Sequence, residues 1–129
     1  MFLKIIYGFL IGCLIGFTLE LVYRSIYKKR VALPKFVNWQ MYGFTSAFLA
    51  TLHFLEIPLI GKLALMFIFP TTIEFITGYL YLKIKGVRLW DYSSESNNFM
   101  GIISPAFSLV WFLLALIVYY FILPPLLGL

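Results

Sequence analysis

Two glutamates stand inside long apolar runs, Glu20 in FTLELVY and Glu74 in TTIEFIT. A carboxylate exposed to hydrocarbon costs several kcal/mol, so each must face other helices or water, and intramembrane acids are functional candidates by default. Arg24 lies one turn beyond Glu20, in the Glu-then-Arg i,i+4 order that favours an ion pair. A polar stretch from Gly86, GVRLWDYSSESNN, adds Arg88, Trp90, Asp91, Tyr92, Ser93 and Asn98. Asp91 and Asn98 are placed to pair with Arg24, Arg88 or helix ends, while Asn98 and Ser96 also suit the N-cap of a following helix. The candidate polar site is therefore Glu20, Arg24, Glu74, Arg88, Asp91 and Asn98. Two carboxyls brought close together would share or release a proton, which suits a proton-coupled gate or a cation site. The structural alternative makes each glutamate a clasp between helices.

Other chemistry is poorly provided for. There is no Ser-His or Cys-His pairing and no metal-ligand cluster, so no enzyme, metal or cofactor is expected. His53 is solitary and reads as an interfacial residue. Cys13, the only cysteine, lies in the first apolar run and can form no disulfide framework.

The elements that must position these residues follow from composition. Of 129 residues, 63% are hydrophobic and 12% charged, with a mean hydropathy of +0.99. A soluble domain of this size needs far more polar surface, so the bilayer is the solvent for most of the chain. Spans of about 20 apolar residues are expected at about 2–27, 40–57, 62–84 and 99–123, giving an all-α, polytopic domain of four transmembrane helices over residues 1–129. A cleaved leader is disfavoured for the first run, because it is long, carries Glu20 and Arg24, and is followed by no A-x-A-like site. Pro34 breaks the first connection, Pro58 and Gly61 separate the second and third spans, and Pro124-Pro125 is expected to stop the fourth. Pro105 should bend or reset the fourth span near its start. Pro70, inside the third, removes a backbone hydrogen bond four residues before Glu74, with Thr71 and Thr72 available to re-satisfy the backbone.

Net charge is +5, but the basic residues cluster at span ends and form no stripe for nucleic acid. Arg24, Lys28, Lys29, Arg30 and Lys35 flank the first connection, Lys62 the second, and Lys83, Lys85 and Arg88 the third. The positive-inside rule then puts connections one and three in the cytoplasm and both termini outside a cell membrane.

Gly8, Gly12 and Gly16 recur every four residues and lay a groove for close helix approach. The segment TLELVYRSIYKK at 18–29 aligns without gaps on TIEFITGYLYLK at 72–83, and MYGFTSAF at 41–48 resembles FMGIISPAF at 99–107. A duplicated helical hairpin, a parallel 2+2 repeat, is the expectation.

The same residues resemble a family, the membrane proteins described as putative ABC-transporter type IV, or CmpB-like. Its pattern appears here as Gly16 to Glu20 with Arg24, Tyr42-Gly43, Glu74 with Gly78-Tyr79, Trp90-Asp91-Tyr92-Ser93, Asn98 and Gly101. The resemblance covers nearly the whole chain, with WDYS followed by N-x-x-G its most specific part. It departs where the family carries N-R-G-F-L-Y-G-P and this chain has Asn38-Trp39-Gln40-Met41-Tyr42-Gly43-Phe44. The resemblance implies a transport-related context, and with it the residues read as a small permease or channel-like subunit in which Glu20, Glu74, Arg24 and Asp91 form a polar site opening to the cytoplasm. A non-transporting scaffold or regulatory subunit is the alternative, and an enzyme acting on lipid is the weakest reading. No nucleotide-binding motif is present, so ATP use would require a separate ATPase subunit. Four short helices enclose little space, and a homodimer, built on the glycine row or the apolar fourth helix, would supply a wider pathway.

Overall fold

The computed structural model describes residues 1–28 and 36–129. Lys29, Arg30, Pro34 and Lys35 of the first connection lie outside the described residues, as does the side chain of Lys28. The described chain is helical: α1 (Phe2–Lys28), α2 (Phe36–Leu52), α3 (Leu59–Leu80) continuing into a π-helical turn (Tyr81–Lys85), α4 (Pro105–Ile117), a second π-helical turn (Val118–Ile122) and α5 (Leu123–Leu127). Three helical stretches, Phe2–Tyr27, Leu59–Lys85 and Pro105–Leu127, are long and apolar enough to cross a membrane.

The helices depart from their expected bounds in ways the local chemistry explains. The span expected at 40–57 is a 17-residue helix, Phe36–Leu52, about 25 Å long by helical rise and at the lower limit for crossing hydrocarbon. It ends because the amides of His53 and Phe54 bond back to Ala50 and Thr51 three residues away, and Pro58 then excludes helix until Leu59. The fourth helix starts at Pro105 rather than Phe99. Ser104 is its cap, its Oγ accepting from the Phe107 amide at 3.3 Å, and Pro105 takes the first helical position, where a missing N–H costs nothing. Asn98 and Ser96 therefore do not cap this helix. Pro124-Pro125 does not stop the chain's last helix either. Both prolines fall in the first turn of α5, which ends at Gly128 with φ 68°.

The chain divides into two compact units, 1–56 with 118–129, and 57–117. In the first, α1 and α2 pack antiparallel along the glycine row. A Cβ on Gly8 would lie 3.0 Å from that of Ala50; one on Gly12 would lie 2.5 Å from the Tyr42 carbonyl oxygen, and one on Gly16 would strike the Tyr42 ring at 2.5 Å. Gly43 answers from α2, with Phe9 and Cys13 closing over it. The groove is thus filled by α2, which removes it as a homodimer surface. At the other end of this unit His53 stacks on Tyr119 at 3.9 Å and its Nε2 bonds the Tyr119 carbonyl at 3.0 Å.

In the second unit α3 buries one row, Met66, Pro70, Glu74 and Gly78, at four-residue spacing. Leu59, Ile60, Phe67, Ile68, Ile76 and Leu80 of the same helix are exposed apolar side chains, which suits contact with lipid. Pro70 sits inside this helix without ending it, and the Thr72 hydroxyl back-bonds to the Ile68 carbonyl at 2.8 Å. The expected repeat is not confirmed by the fold. Gly43 lies within α2, whereas its counterpart Gly101 has φ 69° in a turn, so segments 41–48 and 99–107 do not share a local structure.

Candidate functional site

Glu74 is the centre of the second unit. It lies about 16 Å by helical rise from the Lys85 end of its helix and is 5% exposed. Its Oε2 accepts from the Tyr92 hydroxyl at 2.8 Å and from Trp111 Nε1 at 2.8 Å. Its Oε1 is buried and has no hydrogen-bond partner among the described residues. One turn away the Thr71 hydroxyl donates to Ser108 Oγ at 2.9 Å. Thr71 and Glu74 on α3, and Ser108 and Trp111 on α4, each stand three residues apart, so two polar rungs join the helices.

The loop from Gly86 to Ser104 brings Tyr92 to this point. Gly86, at φ 62°, ends the π-helical turn. Trp90 Nε1 bonds the Ile102 carbonyl at 2.8 Å, and the Tyr92 amide bonds the Gly101 carbonyl at 2.8 Å, so the loop folds onto itself. Gly78 provides the floor, since a Cβ there would meet Ile102 at 2.6 Å and Trp90 at 3.1 Å. The Tyr92 ring stacks on Phe107 of α4 at 4.4 Å, which fixes its hydroxyl over Glu74. Tyr79 lies nearby in sequence but does different work, stacking on Phe75 at 5.6 Å with Lys83 Nζ 5.8 Å from its ring centre.

The remaining polar residues of the loop brace it. Asn98 donates to the Glu95 carbonyl at 2.9 Å and the Ser93 carbonyl at 3.3 Å, and accepts from the Gly101 amide at 2.9 Å. Arg88 bonds the Met100 carbonyl at 3.0 Å and stands 4.0 Å from Asp91. Gly101 is required twice over: its φ is 69°, and a Cβ would lie 2.8 Å from both Arg88 Nη1 and Ser93 Oγ. Hydrogen bonds from the Ser93 hydroxyl and amide, with Arg88 adding its charge, hold the Asp91 carboxyl below the usual carboxylate range. A lowered folded value means that Asp91 steadies the loop above about pH 4, the unfolded carboxyl range, and releases it as pH falls through the folded value. Ser93→Ala is expected to raise the Asp91 pKa toward the ordinary value, followed by carboxyl-carbon NMR in detergent. An unchanged titration would remove Ser93 as the cause.

In the first unit, Arg24 Nε meets Glu20 Oε2 at 3.2 Å, both side chains less than one-fifth exposed. This is the ion pair that the spacing predicts. Asn38 and Ser46 carry buried oxygens, Asn38 Oδ1 and Ser46 Oγ, without partners among the described residues. Both lie on the face of α2 that carries Tyr42.

Six candidates therefore fall into two groups. Glu20 and Arg24 pair within the first unit. Glu74, Arg88, Asp91 and Asn98 belong to the second, where Glu74 is the buried member and the others build the loop that delivers Tyr92. Sequence reasoning missed Trp111, Ser104, Ser108 and the direct bond from Tyr92 to Glu74. Ser-Pro at 104–105 was a readable helix start; Trp111 gave no signal, because only the rotation of α4 points its indole at an acid.

No match is found to a curated protein or to a solved structure. The family model described as putative ABC-transporter type IV matches residues 7–129. With nearly the whole chain matched, from the α1 glycine row through the loop that closes over Glu74, the protein belongs to that family.

Proposed function

We propose that this protein is a transport-related membrane component, a small permease or permease subunit, in which Glu74 is the working carboxyl. One observation carries the reading: a carboxyl buried deep in an apolar helix has one oxygen held by two donors and the other without a partner among the described residues. A clasp alone needs only an acceptor for Tyr92 and Trp111, which an amide or a hydroxyl provides. An ionisable group with a free oxygen suits binding and release. Membership of the family supports a transport context. On the positive-inside argument the Lys83, Lys85 and Arg88 end of the site is cytoplasmic and both termini are outside. An ATPase would be a separate chain, and a homodimer would form through the apolar surface of α4 rather than the glycine row.

The scaffold reading also has support, since Glu74 ties α3, α4 and the loop together. Glu74→Gln separates the two. The amide oxygen still accepts both donors, so the transport reading expects the melting temperature in detergent to move by only a few degrees while flux in proteoliposomes falls at least tenfold. Wild type without flux, combined with a variant that loses its fold, would leave the scaffold.

A further inference from the structure

We propose that the species bound at the Glu74 site is a single proton, carried on Oε1; the inference rests on the reading of Glu74 as the working carboxyl. The geometry discriminates among ligands. A metal cation requires several oxygen ligands converging on one point; among the described residues no group of acidic, histidine or cysteine side chains could hold one, and the Thr71 and Ser108 hydroxyls are bonded to each other one turn away. An anion would meet the carboxyl itself. A larger organic cation needs open space, and Oε1 is buried. A proton needs none of these.

The two donors also choose the same oxygen. Tyr92 and Trp111 both address Oε2, which matches a neutral acid whose carbonyl oxygen accepts twice through its two lone pairs while the other oxygen carries hydrogen. The groups that face Glu74 are the Tyr92 phenol from the loop and the Trp111 indole from α4, and no charged side chain acts on it among the described residues. Arg88 and Asp91, the charged groups that precede Tyr92 in the loop, are engaged with Met100, Ser93 and each other, and Glu95, three residues beyond it, meets Tyr92 through its amide, which donates to the Tyr92 carbonyl at 2.9 Å. On binding, a proton from water forms the Oε1–H bond and the carboxylate becomes a neutral acid; release returns the proton to water. Tyr92 is the positioning residue for this exchange. It is the one hydrogen-bonding neighbour of Glu74 supplied by the connecting loop, where the chain leaves the apolar spans.

Infrared difference spectra of the protein in lipid test this directly. A carboxylic acid C=O band that comes and goes between about pH 4 and 9 is expected in wild type, absent from Glu74→Gln and retained in Glu20→Gln. Tyr92→Phe should shift that band to higher frequency, because the carbonyl loses one of its two donors; this variant keeps the test valid if Glu74→Gln fails to fold. A Glu74 carboxylate signal unchanged across the whole range overturns the proposal. A flux that Glu74→Gln abolishes in a protein that shows no titrating acid band also overturns it, and keeps the transport reading. The titrating acid band without any flux supports the proton site and removes the transport reading instead.

Discussion

Gly12→Leu is expected to cost at least about 3 kcal/mol and to part α1 from α2. Overpacking a core position usually costs about 1–3 kcal/mol, because neighbours rotate aside. Here the obstruction includes backbone: even the first added carbon would sit 2.5 Å from the Tyr42 carbonyl oxygen and 3.0 Å from Gly43 Cα, as well as against Ser46 Cβ. Neither backbone atom can move without α2. Separation at Gly12 would also loosen the contacts of Gly8 with Ala50 and of Gly16 with Tyr42, so the loss spreads along the row. Gly61→Ala is the control, since a Cβ there meets only Ile57 Cδ1 at 3.9 Å, and relief of glycine's chain entropy favours the variant by about 0.5 kcal/mol. Denaturant titration in mixed micelles compares them, and equal midpoints would show that the close approach of α1 and α2 is not what holds this unit.

Glu74→Ala should be the second severe lesion. It removes the acceptor that the Tyr92 hydroxyl and the Trp111 indole N–H share. An orphaned buried donor costs about 1–3 kcal/mol, whereas hydrogen bonds between membrane helices average about 0.6 kcal/mol when measured by pairs. The lost acceptor and the cavity left behind together set the expected loss at roughly 2–4 kcal/mol. Loosening of the loop should accompany it, because the Tyr92 hydroxyl loses its bond across to α3. Thermal unfolding with tryptophan fluorescence reads both effects. A variant as stable as wild type, with an unshifted emission maximum, would mean that the Trp111 bond contributes nothing.

How much of this was legible depended on range. The apolar runs announced long helices, and Glu74 drew attention as a charge where none is tolerated. The glycine row announced a close helix contact, though not that α2 would occupy it. The start of α4 was misplaced because Phe99, Met100, Ile102 and Ile103 extend the apolar pattern, while hydropathy is blind to the left-handed backbone of Met100 and Gly101. Ser104-Pro105 held the correct signal. Proline was read as a terminator at 124–125, yet in a first turn it is tolerated. What no pattern carried was the third dimension: that Tyr92, 18 positions along the chain, returns to the acid, and that Trp111 meets it from another helix.

The wide turn at Val118–Ile122 divides the last apolar segment into two angular phases. Ser108 and Ala115 are buried before it, Leu123 and Leu127 after it, and regular winding from Ser108 would bring Ile122 and Leu126 to that face instead. One residue of slack, about 100° of rotation, is absorbed within the turn. Burial before and after the turn therefore follows two registers along one apolar stretch, each set by the neighbours within its own unit.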